Sequence, residues 1–301
     1  MTVSELLAYV RRRTGDAVFD KDTAVFRDVL RRAVRRCATA FGWSFFRVVE
    51  NINLVDPKTD GTVSLTHGSA TVTGSGTNFV SGDVGKIFRP YNSNTTYIIS
   101  AVASTTSMTL TGQYIDPSEE DLTGQEYEIL TADYALANDV SKMLEVVNTQ
   151  IGRNLVWVPR STMDQWMRGL CVASVPQYFT SINDGSDSFK VRLWPPPDKQ
   201  YPIITIYQRN PADPSTTDDT ATIDWPARTE VLESAAFYEA CGNGGTASAK
   251  ANLGLARSEY MATLENAKAE DRAADGPVVI GGQRKQLVHG QISVTNYITI
   301  P

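Results

Sequence analysis

Apolar residues recur at three- and four-residue spacing near both ends of the chain and at two-residue spacing between, a pattern that predicts helices flanking a run of strands. Over residues 20–41 Val25, Phe26, Val29, Leu30, Ala33, Val34, Cys37 and Phe41 line one helical face, with Asp20 or Asp22 suited to cap its first turn and Gly42 to end it. A shorter stripe of Val3, Leu6, Leu7 and Val10 precedes it across Thr14-Gly15-Asp16. Toward the other end Pro226 suits a first helical position, and Val231, Leu232, Ala235, Ala236 and Tyr238 form a face that Gly242-Asn243-Gly244-Gly245 breaks. Leu253, Ala256, Tyr260, Leu264 and Ala267 continue at helical spacing within residues 247–274. Neither pair of helices buries its stripe alone, so the expectation is a four-helix bundle assembled from both chain ends.

Between the helices the period is two. Val63, Leu65, Ala70 and Val72 alternate around His67-Gly68-Ser69, followed by the glycine-punctuated residues 74–79, then Tyr97-Ile98-Ile99 and Met108-Thr109-Leu110-Thr111. Such short strands, rich in Thr, Ser and Gly, predict a small β-sandwich or barrel at residues 61–114. Residues 45–55 and 126–130 are expected to pair as strands of a host β domain that resumes at 139–147, 155–158 and 189–207, which makes 61–114 an insertion; residues 161–170 suit a short helix bearing Trp166. Leu193-Trp194 followed by Pro195-Pro196-Pro197, and then alternation of Ile203, Thr205 and Tyr207 with Ile204, Ile206 and Gln208, reads as a hairpin whose prolines stop its first strand. Asp275-Gly276-Pro277 ends the last helix, and Gly281-Gly282, Arg284-Lys285 and the strand-prone residues 291–300 follow with no hairpin partner beside them. That tail reads as an arm that pairs with another chain in preference to an edge strand of its own sheet. The expected fold class is α+β: a four-helix bundle from both chain ends plus a central antiparallel β domain with an inserted small β-sandwich or barrel module and an extended C-terminal tail. The expected divisions are 1–44 and 226–274 for the bundle, 45–225 for the β domain with 61–114 inserted, and 275–301 for the arm.

A chain of 301 residues with 42% hydrophobic content supports a sizeable core and two or three domains, as an ordinary soluble globular protein. No apolar run approaches the roughly 20 residues of a membrane helix, and Arg11-Arg12-Arg13 follow an apolar face in the reverse of a signal peptide's order, so neither a membrane span nor secretion is expected. Cys37, Cys171 and Cys241 are odd in number and far apart, which argues against a disulfide framework or a zinc site. The net charge of −6 is uneven: up to Arg47 ten basic residues face five acidic ones, a net of +5 that leaves −11 for the remainder. Arg31, Arg32, Arg35 and Arg36 fall mostly off the apolar face of their helix, and a solvated or partner-facing surface is favoured over a phosphate grip because no DNA-reading motif accompanies them.

Catalytic constellations are sparse. His67 and His289, in a turn and in the tail, give poor support to a Ser-His-Asp or Cys-His arrangement. Gly74-x-Gly76 lacks both the third glycine of a dinucleotide fingerprint and the Lys-Ser/Thr of a phosphate loop, and reads as turn chemistry. Glu119-Glu120-Asp121 and Asp218-Asp219 lie in polar loops where solvated charge is the ordinary explanation, with a hard cation or acid–base chemistry as the alternative. Trp43, Trp157, Trp166, Trp194 and Trp225 are expected to anchor the core.

The stretch 193–209, taken with Leu130-Thr131-Ala132-Asp133-Tyr134, Asp224-Trp225-Pro226 and the helix over 226–241, resembles the head-to-tail adaptor proteins of tailed phages, the group that includes tail tubular protein A. Residues 61–114, especially Gly68-Ser69-Ala70-Thr71-Val72-Thr73-Gly74-Ser75-Gly76-Thr77, also resemble small β modules of phage tail and virion proteins. The adaptor resemblance implies a structural virion protein, not an enzyme and without a cofactor. It implies a ring, usually described as twelvefold, that joins the capsid portal to the tail or nozzle protein, helps form the DNA channel, and sits in the virion neck after assembly in the host cytoplasm. The subunit or portal interface is then expected at Arg31, Arg32, Arg35 and Arg36 and, on the arm, at Arg284, Lys285, Leu287, Ile292, Val294, Tyr297, Ile298 and Ile300. The alternatives are a virion-decorating, fibre-like or receptor-facing β protein and a glycan-active enzyme using the acidic loops.

Overall fold

The computed structural model describes residues 1–15, 23–91, 95–115, 120–183, 189–214, 220–225, 229–244 and 250–274, together with the backbone of 279–280, 283–288 and 291–294. In chain order the elements are α1 (Val3–Thr14), α2 (Thr23–Ala40), β1 (Arg47–Asn53), β2 (Thr62–Leu65), β3 (Thr71–Ser75), β4 (Ile87–Pro90), β5 (Tyr97–Ser104), β6 (Ser107–Leu110), β7 (Leu122–Gln125), β8 (Tyr127–Leu130), β9 (Asp133–Ala135), β10 (Val140–Asn148), β11 (Arg153–Asn154), β12 (Val156–Trp157), α3 (Arg160–Met167), β13 (Tyr178–Asn183), β14 (Phe189–Trp194), β15 (Pro202–Arg209), α4 (Thr229–Glu239), α5 (Leu253–Ala274), β16 (Val279–Ile280), β17 (Gln283–Val288) and β18 (Gln291–Val294). Short 3-10 turns lie at Ser44–Phe46 and Ser81–Asp83, and a π-helical turn, Ala240–Gly244, follows α4. The chain forms two compact units, residues 1–48 with 207–301 and residues 49–206.

In the first unit the apolar stripes are buried as their spacing demands: Leu6 and Val10 of α1, Phe26, Leu30 and Cys37 of α2, and Leu264 of α5 share one core. Each large aliphatic side chain so buried contributes about 1.5–3 kcal/mol relative to exposure. A capping box starts α1, in which Thr2 Oγ1 accepts from the Glu5 amide at 3.2 Å while Glu5 Oε2 accepts from the Thr2 amide at 2.7 Å. The segment just before α1 bridges to Thr222, with the Val3 amide on Ala221 and the Ile223 amide on Met1. Helix α4 is the hub: α1, α2 and α5 each pack on it, and Val231, Leu232, Ser234, Ala235, Ala236, Phe237 and Glu239 are all buried. Its small residues permit that close approach from several sides.

In the second unit a seven-stranded sheet runs in the order β7-β2-β3-β6-β5-β4-β8. Its two outer strands are separated in the chain by Glu126 alone, so the sheet curls until its edges are neighbours. Val63, Leu65, Val72, Phe79, Phe88, Ile99, Met108, Leu110, Tyr114, Tyr127 and Ile129 fill the inside. The β2–β3 hairpin forms around the predicted His67-Gly68-Ser69 turn, with Leu65 opposite Val72 and Val63 opposite Gly74. Gly61 (φ +78°) lies beside this hairpin, where a Cβ would stand 2.3 Å from the Ser75 carbonyl oxygen. Two further four-stranded sheets run in the orders β1-β15-β10-β11 and β12-β13-β14-β9.

This architecture overturns the expected fold class. The molecule is β-rich, with a curled seven-stranded sheet and five α-helices among the described residues, and it is not a four-helix bundle joined to one central antiparallel β domain with an inserted sandwich or barrel. The core around α4 is completed by Trp43, Phe46, Ile223 and Trp225 from segments outside the α-helices. The sheets are several, and β12 runs parallel to β13, Val156 opposite Tyr178. Residues 126–130 do not pair with 45–55: β8 pairs with β4, Ile87 opposite Leu130, while β1 lies beside β15. The hairpin expected over 193–209 is absent as well. Strand β14 already has β13 on one edge and β9 on the other, so the prolines carry the chain into a different sheet, where β15 enters between β1 and β10.

Candidate functional site

The basic face of α2 is set by the period of its apolar face: with Phe26, Val29, Leu30, Ala33, Val34 and Cys37 turned inward, Arg31, Arg32, Arg35 and Arg36 are all exposed. Their surroundings differ. Arg31 Nε lies 3.3 Å from Asp213 Oδ1 and Arg32 Nη2 2.7 Å from Asp28 Oδ2, pairs open to solvent and each worth well under about 1 kcal/mol. Arg36 instead donates to Glu239, a carboxylate only 3% exposed, and its guanidinium stacks over the Tyr238 ring at 4.9 Å. Arg36 is therefore bound into its own chain, whereas Arg31, Arg32 and Arg35 present charge outward.

On the tail, Arg284, Lys285 and Leu287 belong to β17 and Ile292 and Val294 to β18; Tyr297, Ile298 and Ile300 lie outside the described residues. The tail does have a partner beside it. β17 pairs antiparallel with β18, Leu287 opposite Ile292 and Lys285 opposite Val294, and with β16 on its other edge. Val288 pairs with Gln291, which leaves His289-Gly290 between the strands. Two residues with a glycine are the spacing of a tight hairpin, and this was the signal in the sequence that the expectation overlooked.

The candidate chemical groups do not assemble. Glu119, Asp218, Asp219 and His289 lie outside the described residues, and Asp121 Oδ1 accepts from the His67 amide at 2.8 Å, tying down a turn. Among the described residues no three or more His, Cys, Asp or Glu side chains gather as a metal site. All three cysteines are buried free thiols; burial pushes Cys37 and Cys171 up to about 12 and raises Cys241 too, which opposes thiolate formation. No described helix is long and apolar enough to cross a membrane.

Strong polar constellations that sequence reasoning missed brace the second unit. Asp83, 1% exposed, accepts from Lys58 Nζ at 2.8 Å, Lys86 Nζ at 3.0 Å and the Val80 amide at 3.0 Å. Burial alone would raise its pKa, but these three donors outweigh it and the net direction is down. Arg192 of β14 grips Asp133 of β9 through two hydrogen bonds, 2.6 and 2.8 Å, and reaches Asp164 of α3 at 2.8 Å. Arg89 Nε and Glu128 Oε1 stand 2.6 Å apart at a pocket of about 370 Å³ also lined by Tyr91, Asp56 and Asp198, and burial raises the Glu128 pKa despite Arg89. Apart from Lys86 and the Val80 amide, each three residues from Asp83, these partners lie 25 to 59 residues apart, so local pattern does not announce them.

The tryptophans divide. Trp43 (2% exposed) and Trp225 (5%) anchor the first unit in an aromatic cluster, edge to face at 5.6 Å, with Phe41, Phe45 and Phe46 around them. Trp166 and Trp194 are half-buried, 6.2 Å apart. Trp157 is not a core anchor: it is 57% exposed on β12, an outer strand of its sheet. Beside the aromatic cluster a pocket of about 350 Å³ opens toward Glu270 and Asp271 of α5.

Among known protein families, the model described as SU10 adaptor protein matches residues 96–281, more than half of the chain. The match runs from β5 to β16 and includes α4, α5 and Trp225, but neither the arginines of α2 nor the basic pair of β17. No curated protein matches the chain.

Proposed function

The chain belongs to the SU10 adaptor protein family, structural adaptor proteins of phage, and from that premise we propose that it forms a ring joining the capsid portal to the tail and lining part of the DNA channel. The family match is the observation that carries this reading. The exposed arginines of α2 and the hairpin tail supply it with partner-facing surfaces. In the assembled virion the protein occupies the neck, with a portal protein on one side and a tail or nozzle protein on the other. Residues 283–301 dock outside their own subunit, on the portal or an adjacent adaptor. An arm that orders on docking incurs its conformational entropy cost at that step, which favours assembly templated by the portal over assembly in free solution.

Native mass spectrometry with and without a portal ring tests the proposal. The expected spectra show a monomer or weak association at micromolar concentration alone, and a closed ring, of twelve copies on the family's usual description, once portal is added. A stable ring without portal would remove the templating step, and no association with portal would remove the adaptor reading.

A further inference from the structure

The basic stripe of α2 is only partly compensated within the chain. Arg27, Arg31 and Arg35 follow one another at four-residue intervals, a spacing at which like charges on a helix repel. Arg31 reaches Asp213 and Arg32 reaches Asp28, both pairs half open to solvent, while the exposed Arg35 has no carboxylate within ion-pair reach among the described residues. An acidic counterpart lies elsewhere on the same unit. Between α4 and α5 runs a groove of about 250 Å³, lined by Glu230 on one helix and by Thr263, Asn266 and Ala269 on the other. Glu230 belongs to the first turn of α4, where the helix dipole favours a carboxylate. Glu233 follows three residues later without that support: burial first, and then the Glu230 charge, push its carboxyl up, and Arg12 offsets them only in part. Glu270 also lines the groove but has an interaction of its own. Glu230 and Asn266 are exposed, and Glu230 has no cation within ion-pair reach among the described residues. A guanidinium suits such a groove, because its planar fork of N–H donors grips a carboxylate through two bonds and keeps others for an amide oxygen.

We infer that the basic face of α2 in one copy of this chain docks on the α4–α5 groove of the next copy, with Arg35 on Glu230 and the neighbouring arginines facing Glu233. The inference rests on the proposed reading as a ring, and it names a contact between its subunits. The occupant is a second copy because the two faces are opposite in sign, belong to one compact unit and do not meet within the chain. Joined head to tail, such a pair of faces repeats from copy to copy, and a repeating heterologous contact is what closes a ring. Glu233, crowded by Glu230 and by burial in the single chain, gains the countercharge there that Arg12 supplies only in part.

Two charge-reversed variants of the full chain test it, Arg32→Glu with Arg35→Glu on the basic face and Glu230→Lys with Glu233→Lys at the groove, with thermal unfolding measured alongside. Association of copies is read by sedimentation at low ionic strength without portal and by native mass spectrometry with a portal ring. Each variant alone is expected to associate about tenfold more weakly than the unmodified chain, or worse. Mixed in equal amounts they are expected to associate again, because the glutamates on α2 of one meet the lysines at the groove of the other, while the intact faces still match, so that the two variants alternate. Glu230→Gln, which removes the charge without reversing it, is expected to weaken association in the same direction should the groove reversal unfold the chain. Association of either variant at full strength, a mixture that stays apart, or no association of unmodified copies with or without portal overturns the inference. A groove variant that still forms portal-bound rings while the α2 variant does not places α2 on the portal, which also overturns it. Portal-bound rings formed normally by both variants remove this contact alone, whereas copies that associate and alternate as expected but never attach to portal remove the adaptor reading alone.

Discussion

Asp83 and Glu128 are both buried carboxylates facing cations, yet they respond to pH in opposite directions. Asp83 gains two lysines and a backbone amide, so its folded pKa is below the ordinary value. Its contribution to stability is complete above the unfolded value of about 3.9 and is lost as pH falls through the lower folded value. Replacing it by Ala leaves Lys58 and Lys86 without their shared partner and is expected to cost about 3 kcal/mol in urea or guanidinium unfolding at pH 7. For Glu128, burial outweighs Arg89 and the folded pKa is raised. The stability linked to that proton is complete below the unfolded value of about 4.3 and is lost as pH rises through the folded value. Glu128→Gln keeps an oxygen facing Arg89 while removing the desolvated charge, so stability at pH 7 should change by less than about 1 kcal/mol and the pH dependence near the raised value should flatten. A loss comparable to that of Asp83→Ala would show that the ion pair, not its desolvation, dominates.

At the scale of elements, α2 shows how one stripe of like residues splits into different roles. Arg32→Glu with Arg35→Glu changes exposed positions and should move stability by no more than about 0.5 kcal/mol per site while blocking attachment to the portal, because like charges at an interface repel. Arg36→Glu places a second negative charge against buried Glu239 and should cost about 3 kcal/mol or more, measured as a lowered unfolding midpoint. Normal attachment by the Arg32 and Arg35 double reversal would remove this face from the interface. The apolar stripe of α2 and the β2–β3 hairpin were legible because their signals lie within a few residues of each other. The pairing of β14 and β15 was not. Alternation around a proline-rich turn says that two strands exist, but the edges of β14 are taken by β13 and β9, strands that lie nearby only after folding. The tail hairpin lies between these cases, since its His289-Gly290 spacing was local and visible but weaker than the run of β-prone residues beside it.

For the whole molecule, the decisive experiment is truncation after Gly282. Deleting the tail should leave the unfolding of the remaining chain nearly unchanged, within about 1 kcal/mol, since the strands of β16–β18 pair with one another. The same deletion should abolish stable binding to the portal, measured by co-sedimentation. A truncated protein that loses its fold would make the segment an internal element, and one that attaches normally would end the proposal that the arm docks outside its own subunit.

The sequence by itself determined which faces of α1, α2 and α4 are buried, where the β2–β3 turn falls, and that the basic charge gathers on α2, because each of these depends on residues within one or two turns of one another. It also carried the adaptor resemblance that the family match bears out. The tertiary structure alone decided that α4 is the hub of the helices, that the strands divide among several sheets with one parallel pair, and that Asp83, Arg192 and Arg36 find their partners. Those outcomes turn on which buried surfaces and charges meet across tens to hundreds of residues. Periodicity fixes what an element hides and leaves open what it hides against.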